Sequence, residues 1–314
     1  MILCCGEALI DMIPKPVVEG GEGFVPHPGG AVFNTAVALG RLGADVGLLT
    51  GLSTDFFGDM LHDALTQSHV DTSSVIRSAR PTTLAFVQLT DGQASYAFFD
   101  ENSAGRMVSP ADMGDLPATT KALFFGGISL VAEPAADAYA ALIARHAKTD
   151  LIMLDPNIRP SFIQDEARYR QRLDAILPCV DIIKVSTEDL DWILPTQEDA
   201  AAKADRLLEQ GPQLVIVTAG ENGAVAYRKN EEPISITAKP VPVVDTVGAG
   251  DAFNAGFLSQ LSAANVASLD AFRSISTQEL MQCLEVATHV AAATVSRSGA
   301  NPPWRHELDR DAAR

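Results

Sequence analysis

Short apolar, β-rich runs alternate with longer helical patterns along most of this chain, and that alternation restricts its fold more than any other feature. A buried strand needs apolar cover on both faces, and a parallel neighbour is reached only through a long crossover, usually a helix. The pattern predicts an α/β fold: a central, mostly parallel sheet flanked by helices. Candidate buried strands are Ile2–Cys5, Val46–Thr50, Ala122–Phe125, Leu151–Asp155, Ile182–Val185 and Leu214–Thr218. Helical stretches are predicted at Asn34–Leu42, Phe57–Gln67, Pro134–Ala147, Glu198–Gln210 and Asp251–Leu261. The last of these sets Phe253, Phe257 and Leu261 at four-residue spacing, an apolar stripe. A further helix has its start marked by Ser276 with Glu279 three residues on, a capping box. Leu280, Leu284, Ala287 and Ala291 then line one of its faces, and Ser298–Pro303 reads as a stop and turn.

Two regions break this rhythm. Pro14–Pro28 is rich in Gly and Pro, and Thr82–Phe99 mostly alternates, with Asp91–Gly92 as a hairpin turn. Both read as antiparallel ribbon. They predict a small β lid built from insertions at about 12–30 and 81–106 on a single domain spanning 1–314.

Composition narrows the function classes. Of 314 residues 47% are hydrophobic and 20% charged, enough apolar material for a packed core. The 23 basic and 40 acidic residues leave a net charge of −17, and no Lys/Arg run offers a stripe for a phosphate backbone. A nucleic-acid partner is not expected. Four cysteines, Cys4, Cys5, Cys179 and Cys283, form no C-x-x-C pair and read as core-filling thiols in a reducing compartment. The start MILCCGEALIDM lacks the basic region of a signal peptide, and no apolar stretch reaches membrane-spanning length. A soluble, cytoplasmic protein without membrane partners is expected.

The chemistry concentrates in Val244–Phe253, where a glycine turn, Gly248–Ala249–Gly250, opens a helix at Asp251. Free N–H groups at a helix start bind anions, phosphate oxygens above all. Gly248 and Gly250 let the backbone approach a ligand closely. Asp251 reads two ways: a carboxylate stabilised by the helix dipole, or a base beside a phosphate pocket. Other nucleotide signatures are missing. The chain has no Gly-Lys dipeptide and hence no Walker A loop, and Gly248-x-Gly250-x-x-Phe253 lacks the third glycine of a dinucleotide fingerprint. The H-R-D and D-F-G motifs of protein kinases do not occur.

The stretch DTVGAGDAFNAGF closely resembles the C-terminal signature of ribokinase-like (PfkB) carbohydrate kinases. Gly29–Gly30–Ala31–Val32–Phe33–Asn34, running on to a second turn at Asp55–Gly58, resembles the same family's N-terminal signature. The resemblance spans nearly the whole chain and implies a ribokinase-like α/β fold with a lid. It also implies an ATP-dependent transfer of phosphoryl to a sugar hydroxyl.

By that resemblance Asp251 is the catalytic base, and Gly248, Ala249 and Gly250 form the anion hole. Asp11, Gly30 and Asn34 are sugar contacts, although Asn34 also reads as the N-cap of its helix. Asn157 and Arg159, in the turn Asp155–Pro156–Asn157–Ile158–Arg159–Pro160, approach the substrate or the phosphates; a rigid surface turn is the other reading. Lys184, Thr218, Gly220, Gly223 and Ala292 border the nucleotide, and Ala291 and Gly299 fall near the adenine and a monovalent-cation loop. Glu188 and Asp189 stand where the family's N-x-x-E metal motif lies, with Ser186 in place of Asn and Asp189 in place of Glu. Ser186 to Asp189 is equally a capping box. Mg²⁺ is expected, held largely through water and the phosphates of ATP. A monovalent cation such as K⁺ is a further expectation.

The segments GEALIDM, YAFFDENSAGRM, DPNIRP and GANPP together are most similar to bacterial fructokinases. A 2-keto-3-deoxygluconate kinase shares several of them, and its acid substrate would need a cation such as Arg106 or Arg159. A non-catalytic sugar or nucleotide sensor is the third reading. Lid strands of this kind pair in some relatives, so a homodimer is also expected.

Overall fold

The computed structural model describes residues 1–18, 20–90 and 93–312. The first half runs β1 (Ile2–Cys5), β2 (Leu9–Pro16), β3 (Glu22–Gly29), α1 (Ala31–Arg41), β4 (Val46–Leu49), β5 (Gly51–Ser53) and α2 (Phe56–Gln67). It continues through β6 (Ile76–Ser78), β7 (Leu84–Thr90), β8 (Gln93–Phe99), β9 (Ala122–Gly126) and α3 (Ala135–His146). The second half runs β10 (Leu151–Asp155), α4 (Glu166–Ile176), β11 (Ile182–Ser186), α5 (Thr187–Ile193), α6 (Ala200–Gln210) and β12 (Leu214–Thr218). It ends with β13 (Ala224–Tyr227), β14 (Ile234–Ile236), α7 (Ala249–Ala263), α8 (Leu269–Phe272), α9 (Thr277–Val295) and α10 (Arg305–Ala312).

Eight strands form the central sheet in the order β14-β13-β12-β11-β10-β9-β1-β4. Pairing is parallel from β4 to β12 and antiparallel only at β13 and β14. Successive side chains of a strand point to opposite faces, and the core divides accordingly. Ile2 and Cys4 face the layer of α1, α2, α7 and α9, while Leu3 and Cys5 face that of α3, α4 and α6. The adjacent cysteines thus serve two separate layers. Fully burying a Leu, Ile or Phe side chain is worth about 1.5–3 kcal/mol, and β1, β9 and β10 do so on both faces.

Helix α7 crosses α9 closely. A Cβ on Gly256 would stand 2.7 Å from Ala287 Cα, so glycine is required there. The box at Ser276 and Glu279 starts α9 as the sequence predicts.

A second, four-stranded sheet of order β3-β2-β7-β8 forms the lid. β2 with β3 and β7 with β8 are antiparallel ribbons, and β2 and β7 join them in parallel. The predicted turn at Asp91–Gly92 lies outside the described residues. The lid begins earlier than expected, at Leu9, because β2 follows β1 after a short break. The strand expected at Val46–Thr50 forms and ends one residue early. β4 stops at Leu49, and Gly51–Ser53 leaves the main sheet to pair with β6. No helix among the described residues is long and apolar enough to cross a membrane.

Candidate active site

Parallel strands bring their C-terminal ends to one edge of a sheet, where α/β proteins hold ligands. Here that edge carries Asp155 at the end of β10, Ser186 at the end of β11 and Thr218 at the end of β12. Glu7 follows β1 at the same edge, and the loop after β14 returns the chain to it as α7 begins.

The start of α7 leaves backbone amides open to the cleft. Gly248 adopts φ +77, and a side chain there would meet Ala300 at 2.8 Å. Asp245 braces the turn, accepting from Val247 N at 3.0 Å and from Gly299 N at 2.9 Å. The Ala249 amide turns back to Thr246 O at 3.3 Å, and the first helical bond runs from Ala252 N to Gly248 O. Among the described residues the amides of Gly250 and Asp251 therefore have no internal partner. Lys184 Nζ approaches the same turn, 3.2 Å from where a Cβ on Gly250 would stand.

Asp251 lies in the first turn of α7 and is only 9% exposed. Its Oδ2 accepts from Asn34 Nδ2 at 2.9 Å. Burial pushes its carboxyl up to about 7, and the charges of Asp155 and Glu7 add to the rise. The Asn34 hydrogen bond and the Lys184 charge oppose it. A carboxyl raised to that range can gain or lose a proton near neutral pH.

Two clefts, each of about 580 Å³, meet at this turn. One is polar and lined by Asp11, Gly30, Asn34, Asn157, Arg159, Lys184, Glu188, Asp189 and the turn itself. The other is mainly apolar: Gly220, Gly223, Val241, Val243, Phe253, Ala291 and Ala292 form its walls. Thr218, Thr246, Ala249 and Gly250 line both. Apart from Gly299 and Arg106, every site residue expected from the sequence lies on one cleft or the other. Lys184, expected beside the nucleotide, lines the polar cleft next to the turn that the two clefts share.

Asn34 does not cap its helix. α1 starts at Ala31, with Gly30 at φ +105 as the N-cap and no side-chain cap, so Asn34 sits within the first turn and is free to reach Asp251. Asp11 enters the polar cleft from β2, beside Gly29. A Cβ on Gly29 would stand 2.2 Å from Asp11 Oδ2, so the missing side chain makes room for the carboxylate. Burial raises the Asp11 carboxyl to about 6. Asn157 holds a left-handed φ of +44, uncommon outside glycine, with its N–H on Asp155 Oδ1 at 3.1 Å.

The capping box at Ser186 and Asp189 is present. Asp189 accepts from Ser186 N at 3.1 Å and Ile158 N at 2.9 Å, so both of its oxygens are committed to backbone. Glu188 is exposed at the cleft. No group of three or more potential metal-binding side chains occurs among the described residues. This donor set fits an ion brought in by phosphates, with Glu188 as the nearby carboxylate, better than a protein-held metal.

Sequence reasoning missed several residues that shape the polar cleft. Glu7 accepts from Ala31 N at 3.0 Å and from the Ser129 amide and hydroxyl, pinning the Gly29–Gly30 turn to the segment after β9. Burial raises its carboxyl despite those bonds. Phe98 from the lid meets Phe162, ring centroids 3.7 Å apart at 72°, and closes one end of the cleft. Their signals, a Glu after a strand and aromatics in an edge ribbon and a short turn, are too common to single out.

The pfkB family carbohydrate kinase profile matches residues 1–307. A fructokinase of Rhizobium leguminosarum bv. trifolii is 48% identical over 276 residues, 86% of this chain and 84% of that protein. The crystal structure of a fructokinase with bound ATP from Xylella fastidiosa superposes with a TM-score of 0.87 at 29% identity, covering 100% of this chain and 99% of the other. A fructokinase from Vibrio cholerae O395, solved with fructose, ADP and calcium ion, gives 0.84 at 25% identity, covering 98% and 97%. The fold is ribokinase-like.

Proposed function

The chain belongs to the pfkB family of carbohydrate kinases, and we propose that it transfers the γ-phosphoryl of Mg·ATP to a primary hydroxyl of fructose, giving fructose 6-phosphate. The observation that carries this reading is the position of Asp251. It stands at the junction of a polar and an apolar cleft, beside two unpartnered amides and opposite Asn34.

The apolar cleft suits a base and ribose, with Ala291 and Ala292 leaving room for a flat ring. The phosphates then run toward Gly248–Gly250, and the amides of Gly250 and Asp251 face their oxygens. Lys184 adds a cation at the same place. The sugar occupies the polar cleft, its hydroxyls met by Asp11, Asn34 and the Gly30 backbone, with Asn157 and Arg159 alongside.

Phosphoryl transfer passes through a loose, charge-rich transition state, so positioning and electrostatics dominate. Asp251 orients the acceptor hydroxyl through its carboxylate and takes the proton as the new P–O bond forms. Lid closure over Asp11 excludes water that would otherwise accept the phosphoryl. Magnesium, when bound with the nucleotide near Glu188, supplies charge neutralisation of the phosphates. A monovalent cation would lie where Asp245 ties the 244–248 turn to Gly299, and the lid edge is the surface through which two copies would pair.

The 48% identity to a fructokinase supports fructose as acceptor. One observation favours a second reading, the 2-keto-3-deoxy acid. Arg106 is paired with Asp100, but Arg159 lines the cleft with no carboxylate partner among the described residues and could meet an acid. ADP release from Mg·ATP with fructose, 2-keto-3-deoxygluconate, ribose, tagatose and adenosine separates the readings. Fructose-dependent turnover supports the first, and turnover with the keto acid alone replaces it with the second. Silence with all five counts against both.

A further inference from the structure

Asp155, at the end of β10 and 2% exposed, is where three parts of the site meet. Its Oδ2 accepts from Lys184 Nζ at 3.0 Å and from Asn254 Nδ2 at 2.7 Å, and its Oδ1 accepts from Asn157 N at 3.1 Å. Lys184 comes from β11, Asn254 lies one turn beyond Asp251 on α7, and Asn157 heads the strained turn leading to Arg159. One carboxylate therefore ties together a cation, the helix bearing the base and the turn bearing two cleft residues.

Both members of the ion pair are buried, with side chains 5% and 3% exposed. A buried ion pair adds little net stability, because desolvation offsets the attraction. A fixed cation beside an anion hole, in contrast, meets developing charge with no reorganisation at the moment of reaction. Asn254 Oδ1 has no partner among the described residues, so the bond to Asp155 alone orients that amide. It fixes the carboxylate on the side facing Lys184.

We propose that Asp155 is a positioning residue. It holds the Lys184 ammonium against the Gly248–Gly250 turn, and Asn254 locks that arrangement to the helix carrying Asp251, so Lys184 meets the phosphates in place. The inference rests on the kinase reading above, since it needs a nucleotide at that turn, but not on which sugar accepts the phosphoryl.

The test compares affinities for ATP and for adenosine by calorimetry in the wild-type chain, Asp155→Asn, Lys184→Met and the double variant. Asp155→Asn keeps shape and removes charge; Lys184→Met keeps the apolar stem. Each single variant should lose about tenfold or more in ATP affinity, a loss of the size a charge-assisted contact carries. Adenosine, with no phosphates, should bind as before. The double variant should bind ATP no more weakly than either single, because the two residues act as a unit. It should also melt above Asp155→Asn, having no unpaired buried ammonium.

An unchanged ATP-to-adenosine ratio in Asp155→Asn overturns the proposal. So does a ratio that rises, as expected of an ammonium freed to reach the phosphates unaided. Losses that multiply in the double variant overturn it as well. Should Asp155→Asn fail to fold alone, Asn254→Ala decides, since it frees the same carboxylate and leaves Lys184 in place: a retained ratio there overturns the assignment and a lowered one supports it. Because the readout is nucleotide binding, it is separate from the outcome of the sugar panel.

Discussion

Asn34 donates its side-chain amide to Asp251 Oδ2 at 2.9 Å across 217 positions of sequence, joining the first turn of α1 to the first turn of α7. That bond lowers the Asp251 carboxyl against the upward push of burial. Asn34→Ala removes it, so the carboxyl should rise above about 7. The acid limb of kcat/KM against pH, which reports the free enzyme, should then move to higher pH, because the base must be ionised to act. A limb that stays in place or moves down would contradict the link.

Asp251→Asn keeps the volume and the helix but removes the base. Loss of a positioned base costs about 10²–10⁴-fold in kcat. The KM for the sugar should change by only a few-fold, since Asp11, Gly30 and Asn34 remain. Steady-state kinetics with the acceptor identified by the panel checks both numbers; near-full kcat would remove Asp251 from the chemistry.

Gly29 is small because Asp11 needs the space. Gly29→Ala should therefore displace the Asp11 carboxylate and raise the sugar KM, with kcat at saturation changing far less. Asp11→Asn should reproduce the effect. If Gly29→Ala leaves the sugar KM unchanged, Asp11 is not a sugar ligand in its present position.

Gly248 combines a left-handed φ of +77 with contact against Ala300. An alanine there takes on backbone strain of about 1–3 kcal/mol and must also push Ala300 away. Thermal melting should show a drop of that size, and kcat should fall because the phosphate turn shifts. A variant that is destabilised yet fully active would show that the turn tolerates displacement during transfer.

Raised carboxyls also predict how the ligand-free chain responds to pH. Asp251, at about 7, and Asp11, at about 6, bind protons in the folded state over a range where the unfolded chain has released them. Stability then falls as pH rises through that window, since the slope follows the proton difference between unfolded and folded states. The contribution is complete below about pH 4, the ordinary range for Asp, and is lost as pH rises through about 6 and 7. Asp251→Asn should flatten the upper part of this slope in urea titrations. A slope identical to wild type there would mean that Asp251 titrates normally.

Much of the architecture was legible in the chain itself. The six predicted strands match β1, β4, β9, β10, β11 and β12, with ends shifted only slightly, because each is a continuous apolar run that must be covered on both faces. The motifs at Gly29–Asn34 and Val244–Phe253 marked the glycine turns that border the clefts, because glycine where backbone must bend or approach a ligand leaves a local trace. Capping boxes at Ser186 and Ser276 were equally local, each needing only two residues three apart. Short or polar elements were harder. β5, β6 and the helix at Glu166–Ile176 carry weak apolar patterns, and their existence depends on what they pack against.

The division follows from the range of the interactions. Sequence alone determined the order of strands and helices and which turns could hold an anion, since periodicity and glycine geometry act between near neighbours. Only the tertiary structure decided that Asn34 serves Asp251 rather than its own helix, that Asp189 turns both oxygens to backbone, and that Asp155 gathers Lys184, Asn157 and Asn254. Those choices depend on parallel strands delivering their ends to one edge of the sheet. Which residues meet there is set by the packing of distant segments, and no local pattern records it.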